Sequence, residues 1–197
     1  MEQVVEAPCP TCGDSEGLRL RTHIDEIPYF GEHTQVTLLC LVCGWRQTDL
    51  IPAEAQTPTG WTLALTEREH LTARVVRSTA CTVRIPELDL EVAPGASSTG
   101  YVSNVEGVIQ RFVDVLHIVE RDVVAHGDQG EERNALDHLR LRLAMAMVGQ
   151  FDEPLTLELL DPSGRSLILH DDAEQRDLTD EETEALPMGP EPPVFSA

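Results

Sequence analysis

Apolar and polar positions alternate over residues 18 to 24. Leu18, Leu20, Thr22 and Ile24 share one face of an extended chain, and Arg19, Arg21, His23 and Asp25 share the other, which predicts a half-buried strand. Ile27-Pro28-Tyr29-Phe30-Gly31-Glu32 interrupts it as a turn or loop, and Val36, Leu38 and Cys40 resume the period of two in a second strand. After a Pro- and Gly-bearing connector at 51–60, Trp61, Leu63 and Leu65 alternate with Thr62, Ala64 and Thr66. Residues 72–78 and 79–85 are rich in β-branched side chains. Pro86 ends that run, Leu88 to Val92 alternates again, and Pro94-Gly95 makes a turn.

The period then changes to that of a helix. Ser103-Asn104-Val105-Glu106 reads as a capping box with Ser103 at the N-cap. Val105, Val108, Ile109, Phe112, Leu116 and Val119 make an apolar stripe, and Gly127 suits its end. A second helix is expected from about Glu131, with Leu136, Leu139, Leu143 and Met147 on one face and Gly149 closing it. The short polar loop between them predicts an antiparallel hairpin, whose Met and Leu stripe is either hairpin packing or a groove for a partner. Alternation returns at Leu155, Leu157 and Leu159; Asp161-Pro162-Ser163-Gly164 is a turn, and Ser166 to His170 is expected to pair back. Beyond Asp171 the chain is acidic and Pro-rich and reads as a mobile tail.

Two motifs frame the first strand pair. Cys9-Pro10-Thr11-Cys12 and Cys40-Leu41-Val42-Cys43 lie 27 residues apart, and each is followed by a glycine, Gly13 or Gly44. Four thiolates in two Cys-x-x-Cys knuckles fit a tetrahedral Zn²⁺. Gly at these positions lets the backbone fold back where a Cβ would be in the way. Two disulfides would need an oxidising compartment, and a redox pair occurs once, at a helix start, so structural zinc is the expectation. With a four-cysteine site, His23 and His33 are expected as solvated strand or loop residues. The lone Cys81, in Thr79-Ala80-Cys81-Thr82-Val83, is expected to be a buried, inert strand cysteine.

Composition narrows the setting. The 197-residue chain carries 35 acidic residues against 14 Arg and no Lys, a net charge of −21. This Lys-free, acidic surface matches adaptation to a high-salt cytoplasm, a halophilic pattern, and it disfavours phosphate backbones as a main partner. Residues 1–6 carry no basic region ahead of an apolar run, so no signal peptide is expected. No apolar run approaches the ~20 residues of a membrane span. The expectation is a soluble, cytoplasmic protein with no membrane partner. A nucleic-acid-binding zinc ribbon is the alternative class; Arg19 and Arg21 are the only cations between the knuckles. A metal enzyme would need clustered His and carboxylate, and His70, His117, His126, His138 and His170 are scattered without a His-x-His pair. No catalytic residues are assigned, and no enzyme is expected.

Taken in order, several motifs resemble the ZPR-type zinc-finger proteins in their archaeal single-module form. They are Cys9-Pro10-x-Cys12, Ile27 to Glu32, Cys40-x-x-Cys43-Gly44, Arg74-Val75-Val76-Arg77-Ser78, Ile85 to Val92 with Pro94-Gly95, and Gly100 to Gly107, together covering roughly residues 7 to 170. The resemblance implies a mainly β (α+β) fold. A four-cysteine zinc ribbon at 1–50 would precede a double-stranded β-helix-like domain at 51–170, which carries a helical hairpin at about 104–149. It implies one structural zinc on Cys9, Cys12, Cys40 and Cys43. It also implies translation elongation factor one-alpha as a partner, bound or assisted in folding. The Pro28-Tyr29-Phe30 loop is the expected partner-binding surface, unless its two rings pack the ribbon against the β domain. The chain departs from the family at its end, where only Glu174-Gln175 echoes the expected pattern.

Overall fold

The alternation at 18–24 does form a strand, and it belongs to a larger ribbon than a hairpin. The computed structural model describes residues 1–27, 31–52, 56–125 and 130–189. In it β1 (Glu2–Val4), β2 (Leu18–Ile27), β3 (Gly31–Cys40) and β4 (Arg46–Pro52) make an antiparallel sheet in that order. Val5, Leu18, Leu20 and Leu38 bury against Cys9 and Cys40, with Ala7, Val36 and Trp45 packed beside them. This core is small and ends early. Ile24, expected on the buried face, is 62% exposed because the hairpin runs on past its apolar cluster.

The second unit is a pair of sheets. Strands β5 (Thr59–Leu65), β6 (Arg74–Arg77), β7 (Thr82–Ile85), β8 (Leu90–Val92), β9 (Tyr101–Asn104), β10 (Leu155–Asp161), β11 (Leu167–Leu169) and β12 (Glu174–Asp177) divide into two antiparallel sheets. One has the order β12-β5-β10-β7-β8, the other β11-β6-β9. Leu63, Leu65, Leu157, Leu159, Val83 and Ile85 of the first sheet meet Val75 and Ile168 of the second in one core. This is the mainly β architecture expected, a jelly roll with a helical insertion. Two helices, α1 (Val105–Ala125) and α2 (Glu131–Met147), join β9 to β10. Val105, Val108, Ile109, Phe112 and Leu116 of α1 enter the same core, with Leu136, Leu143 and Ala146 of α2. The stripe is not covered to its end: Val119 is 41% exposed, since beyond Leu116 the helix is no longer over the sheets. Arg140 pairs with Glu120 at 2.8 Å, tying the helices across their outer part. Gly127 lies outside the described residues; Gly149 follows α2 with φ +76°, a left-handed value that suits glycine.

Local chemistry moves several expected boundaries. The α1 cap is Asn104, not Ser103: the Asn104 Oδ1 accepts the Gly107 N–H at 2.9 Å, one residue further on than the capping box implied. A Cβ on Gly107 would lie 2.3 Å from the Ser103 hydroxyl, so Ser103 is packed against the first turn. The turn at Asp161 to Gly164 forms, with Gly164 N–H on the Asp161 carbonyl at 3.0 Å. The strand after it does not pair back on β10, however. β11 crosses to the other sheet and pairs with β6, Ile168 opposite Val75. The Asp161 side chain sets this corner. Fully buried, it accepts from Ser163 N–H and Oγ (2.8 and 2.6 Å), Arg165 N–H (3.0 Å), Ser166 Oγ (2.6 Å) and Ser78 Oγ (2.8 Å). Five donors satisfy a carboxylate that burial would otherwise penalise, and four of them lie just past the turn and draw it over the sheet edge.

Much of the segment expected as a mobile tail is structured. β12 adds to β5, with Glu174 opposite Thr62 and Asp177 opposite Thr59, and α3 (Asp180–Ala185) follows. Thr179 and Glu182 form a capping box, Arg176 grips the Glu182 carboxylate at 2.8 and 2.7 Å, and Leu178 and Leu186 bury with Leu160. Acidic composition concealed a helix whose acids occupy the first turn, where the helix dipole favours them. Residues 190–197 lie outside the described residues.

A polar seam joins ribbon and jelly roll. Asp49 on β4 is buried and accepts from Thr79 N–H (3.2 Å), Thr79 Oγ1 (3.1 Å) and the Arg165 guanidinium (2.7 Å). The Gly100 N–H donates to the Thr48 carbonyl at 2.7 Å. His33, expected as solvated, is buried and lines a cleft between the two units with Leu50, Gly100 and Tyr101.

Candidate metal centre

The two knuckles have the same backbone. Gly13 N–H donates to the Cys9 carbonyl (2.8 Å) and Gly44 N–H to the Cys40 carbonyl (3.0 Å). Cys9 N–H donates to the Asp14 carbonyl and Cys40 N–H to the Trp45 carbonyl, at 2.7 and 2.8 Å. Gly13 and Gly44 have φ of +75° and +76°, yet a Cβ on either would meet nothing within 4 Å. The left-handed backbone, not crowding under the sulfurs, is what calls for glycine here. Pairing of Leu18 with Cys40 in the β2–β3 ladder and of Leu41 N–H with the Gly17 carbonyl brings the knuckles together.

All four sulfurs lie within 4.8 Å of one another. Cys9 to Cys43 and Cys12 to Cys40 are each 3.7 Å apart. A tetrahedron with metal–sulfur bonds of about 2.3 Å has edges of about 3.8 Å, so these separations suit a thiolate-bound ion. Cys9 and Cys40 are buried and Cys12 and Cys43 exposed. Burial raises the Cys9 thiol, but amides of Cys12 and Thr11 outweigh it and hold it near 7. At Cys12 the Asp14 amide pulls down, while burial and the three neighbouring sulfurs push the thiol up to about 12. Cys43 is raised too: the Trp45 amide lowers it, and burial with the Cys40 and Cys9 sulfurs prevails. Four sulfurs this close cannot all be anions unless a cation stands between them, which is the chemistry of the donor set.

A second group, His70, His170 and Asp172, is also close enough to hold a metal ion. Its hydrogen bonds point elsewhere. His70 Nδ1 accepts from the Thr66 and Glu67 amides, both at 3.2 Å, so the ring proton sits on Nε2 and faces Asp172 at 3.2 Å. His170 Nδ1 accepts the Asp172 N–H at 3.2 Å. With both Nδ1 atoms occupied as acceptors, the group is a clamp that holds the approach to β12 against the 3-10 turn at Arg68–Thr72. Cys81 is fully buried, and burial pushes its thiol up to about 12, as an inert core cysteine requires.

Of the residues expected to matter, the four cysteines come together at one end of the β2–β3 ladder. Pro28, Tyr29 and Phe30 connect Ile27 to Gly31 at the other end and lie outside the described residues. The ribbon arginines are committed within the chain. Arg21 pairs with Glu2 at 2.9 Å, and Arg19 donates to the Glu16 and Leu18 carbonyls at 2.6 and 3.0 Å. No helix is long and apolar enough to cross a membrane among the described residues.

A four-cysteine ribbon docked on a jelly roll with a helical insertion defines a class of two-unit metal-binding proteins. Similarity gives it a family. The profile of the ZPR1 jelly-roll domain matches residues 69–185. A ZPR1-like protein of Methanocaldococcus jannaschii is 35% identical over 189 residues, 96% of this chain and 92% of that protein. The zinc finger protein ZPR1 of Mus musculus is 30% identical over 175 residues, which is 88% of this chain and 37% of the mouse protein. The zinc finger chaperone zpr1 of Schizosaccharomyces pombe is 34% identical over 116 residues, 58% of this chain and 24% of that protein. The chain belongs to the ZPR1 family.

Proposed function

We propose that this protein is a non-enzymatic, cytoplasmic, zinc-binding interaction protein that binds translation elongation factor one-alpha or assists its folding. One structural Zn²⁺ sits on Cys9, Cys12, Cys40 and Cys43, with no ligand position left for water or substrate. The observation that carries the reading is family membership that includes a relative named a zinc finger chaperone. The four sulfurs, at separations suited to one ion, make the ribbon a metal-set platform rather than a reaction centre. Leu41 and Val42 stand exposed at its second knuckle, and the Pro28-Tyr29-Phe30 connection is the partner surface at its far end. Arg19 and Arg21, already hydrogen-bonded within the chain, leave the ribbon little with which to hold a phosphate backbone.

Affinity capture from the native cytoplasm, at its own salt concentration and in each nucleotide state, tests the proposal. Recovery of a translation GTPase supports it, and recovery of none in any state refutes it. Retention of RNA or DNA with a steep salt slope would place the protein with the nucleic-acid-binding ribbons instead.

A further inference from the structure

Between α1 and strands β7, β8 and β9 lies a cleft of about 300 Å³. Val83, Val92, Phe112 and Val115 give it an apolar wall, and Tyr101 closes one side. The tyrosine ring carries two guanidinium groups. The central carbon of Arg111 is 4.0 Å from the ring centroid and that of Arg77 is 5.7 Å away. The two arginines have different duties. Arg77 is buried and fully engaged, donating to Ser98 Oγ (3.0 Å), the Thr99 carbonyl (3.3 Å) and the Cys81 carbonyl (2.8 Å). Arg111 is exposed, and among the described residues no carboxylate comes within ion-pair distance of it. Asp114, the nearest acid in the cleft, accepts the Gln110 amide at 2.9 Å.

The contrast with the rest of the surface is what makes this informative. The chain has 35 acids for 14 cations, and Arg21, Arg84, Arg140, Arg165 and Arg176 each hold a carboxylate. A guanidinium fixed by stacking on an aromatic ring, with its N–H groups uncommitted at the rim of an apolar cup, is pre-set to receive a carboxylate. Burial raises the Tyr101 phenol, so its hydroxyl stays a neutral donor beside that position. The volume sits at the low end of the ~300–1,000 Å³ of small-ligand sites, room for one amino-acid residue rather than a folded element.

We infer that this cleft binds the C-terminal residue of a partner polypeptide, with its apolar side chain in the cup of Val83, Val92, Phe112 and Val115 and its α-carboxylate on Arg111. A single residue offers both groups only where a chain ends, since inside a chain the carboxylate is an amide. The inference rests on the reading of this protein as an interaction protein and deepens it.

The test uses the full-length protein and hexapeptides ending in Leu or Phe, each as the free acid and as the carboxamide. Amide NMR shifts and calorimetry are the readouts. The free acids are expected to bind and to shift Tyr101, Arg111 and Phe112. The carboxamides should bind about tenfold more weakly or worse, since a charge-assisted hydrogen bond is lost. Arg111→Gln, at an exposed helix position, should weaken the acids to the level of the amides while leaving thermal unfolding unchanged. Val115→Trp, filling the cup from its rim, should abolish binding of both. Equal affinity of acid and amide, full binding by Arg111→Gln, or shifts confined to another surface would overturn the inference. So would isovalerate or phenylacetate binding as tightly as the peptides, which would make the site one for small carboxylates. A translation GTPase captured with undiminished yield by Arg111→Gln and Val115→Trp, while no peptide binds, would remove this site and leave the proposed function standing.

Discussion

Replacing Asp49 with Ala removes the acceptor that joins the ribbon to the jelly roll. The lost contacts are two from Thr79 and one from Arg165. The Thr79 hydroxyl can turn to another acceptor, but the guanidinium cannot leave. Its side chain is 15% exposed and that of Asp49 6%. Removing one partner of a buried ion pair costs about 3–5 kcal/mol, and the partial exposure of Arg165 puts this case near the lower figure, about 3 kcal/mol. Asp49→Asn keeps an acceptor at Oδ1 and loses only the charge, so it should cost about 1–2 kcal/mol. The chain has two tryptophans, Trp45 in the ribbon and Trp61 on β5, so one fluorophore can be kept in each unit. Urea unfolding of the two single-tryptophan variants should give coincident transitions in the parent. In Asp49→Ala the Trp45 transition should move down by about 1–2 M, taking m near 2 kcal/mol/M, and separate from that of Trp61. Adding Arg165→Ala should recover part of the loss, a coupling above about 0.5 kcal/mol. Midpoints that stay put, or strictly additive single and double variants, would refute the claim that this seam makes the two units cooperate.

Other outcomes follow from the remaining contacts. Cys40→Ser, or chelation, should remove the stoichiometric metal and expose residues near 7–50 to protease before the strands of the jelly roll; a full zinc equivalent retained by the variant would contradict the four-thiolate site. Asp161→Ala orphans two amides and two buried hydroxyls at the β10 corner and should cost about 3 kcal/mol or more, measured by the same urea series. Glu182 is held near 2, by Arg176 first and then by the Thr179 amide. Its folded value lies below its unfolded one, so its contribution is complete above about pH 4.5 and is lost as pH falls toward 2. Acid should therefore loosen α3 in the parent, seen as faster amide exchange near Leu178 and Leu186, and Glu182→Gln should show that loosening already at neutral pH.

Strands with one buried face were legible because alternation is local. Leu155, Leu157 and Leu159 and the facing Leu63 and Leu65 announced themselves, and so did the knuckles, whose spacing carries their chemistry. Partner choice was not legible. The turn at Asp161 is visible, but the carboxylate that bends the chain onto the other sheet acts through Ser78, some eighty positions earlier. β12 has no buried face in its four residues, so it shows no alternation to read. Thr179-Asp180-Glu181-Glu182 did carry a helix signal, the same Thr-x-x-Glu spacing sought at Ser103, but it lies in a stretch whose charge argued for disorder. His33 and Asp49 owe their burial to the meeting of two units, and a pattern along one strand does not record what a second unit covers.

The strand order has a consequence during synthesis. β5 hydrogen-bonds only to β10 and β12, and its last residue, Leu65, precedes Leu155 by ninety positions. At about 5–20 residues per second, the ribosome takes on the order of 5–20 s to deliver that partner. The knuckles and β1 to β4 are complete before β5 leaves the exit tunnel, so the metal unit can be finished while Leu63 and Leu65 are still unpaired. The helical pair emerges within that interval and needs no distant strand to form. For those seconds the nascent chain is a completed ribbon followed by an apolar strand with both edges open, which is the stage at which it is most exposed to mispairing with a neighbouring nascent chain.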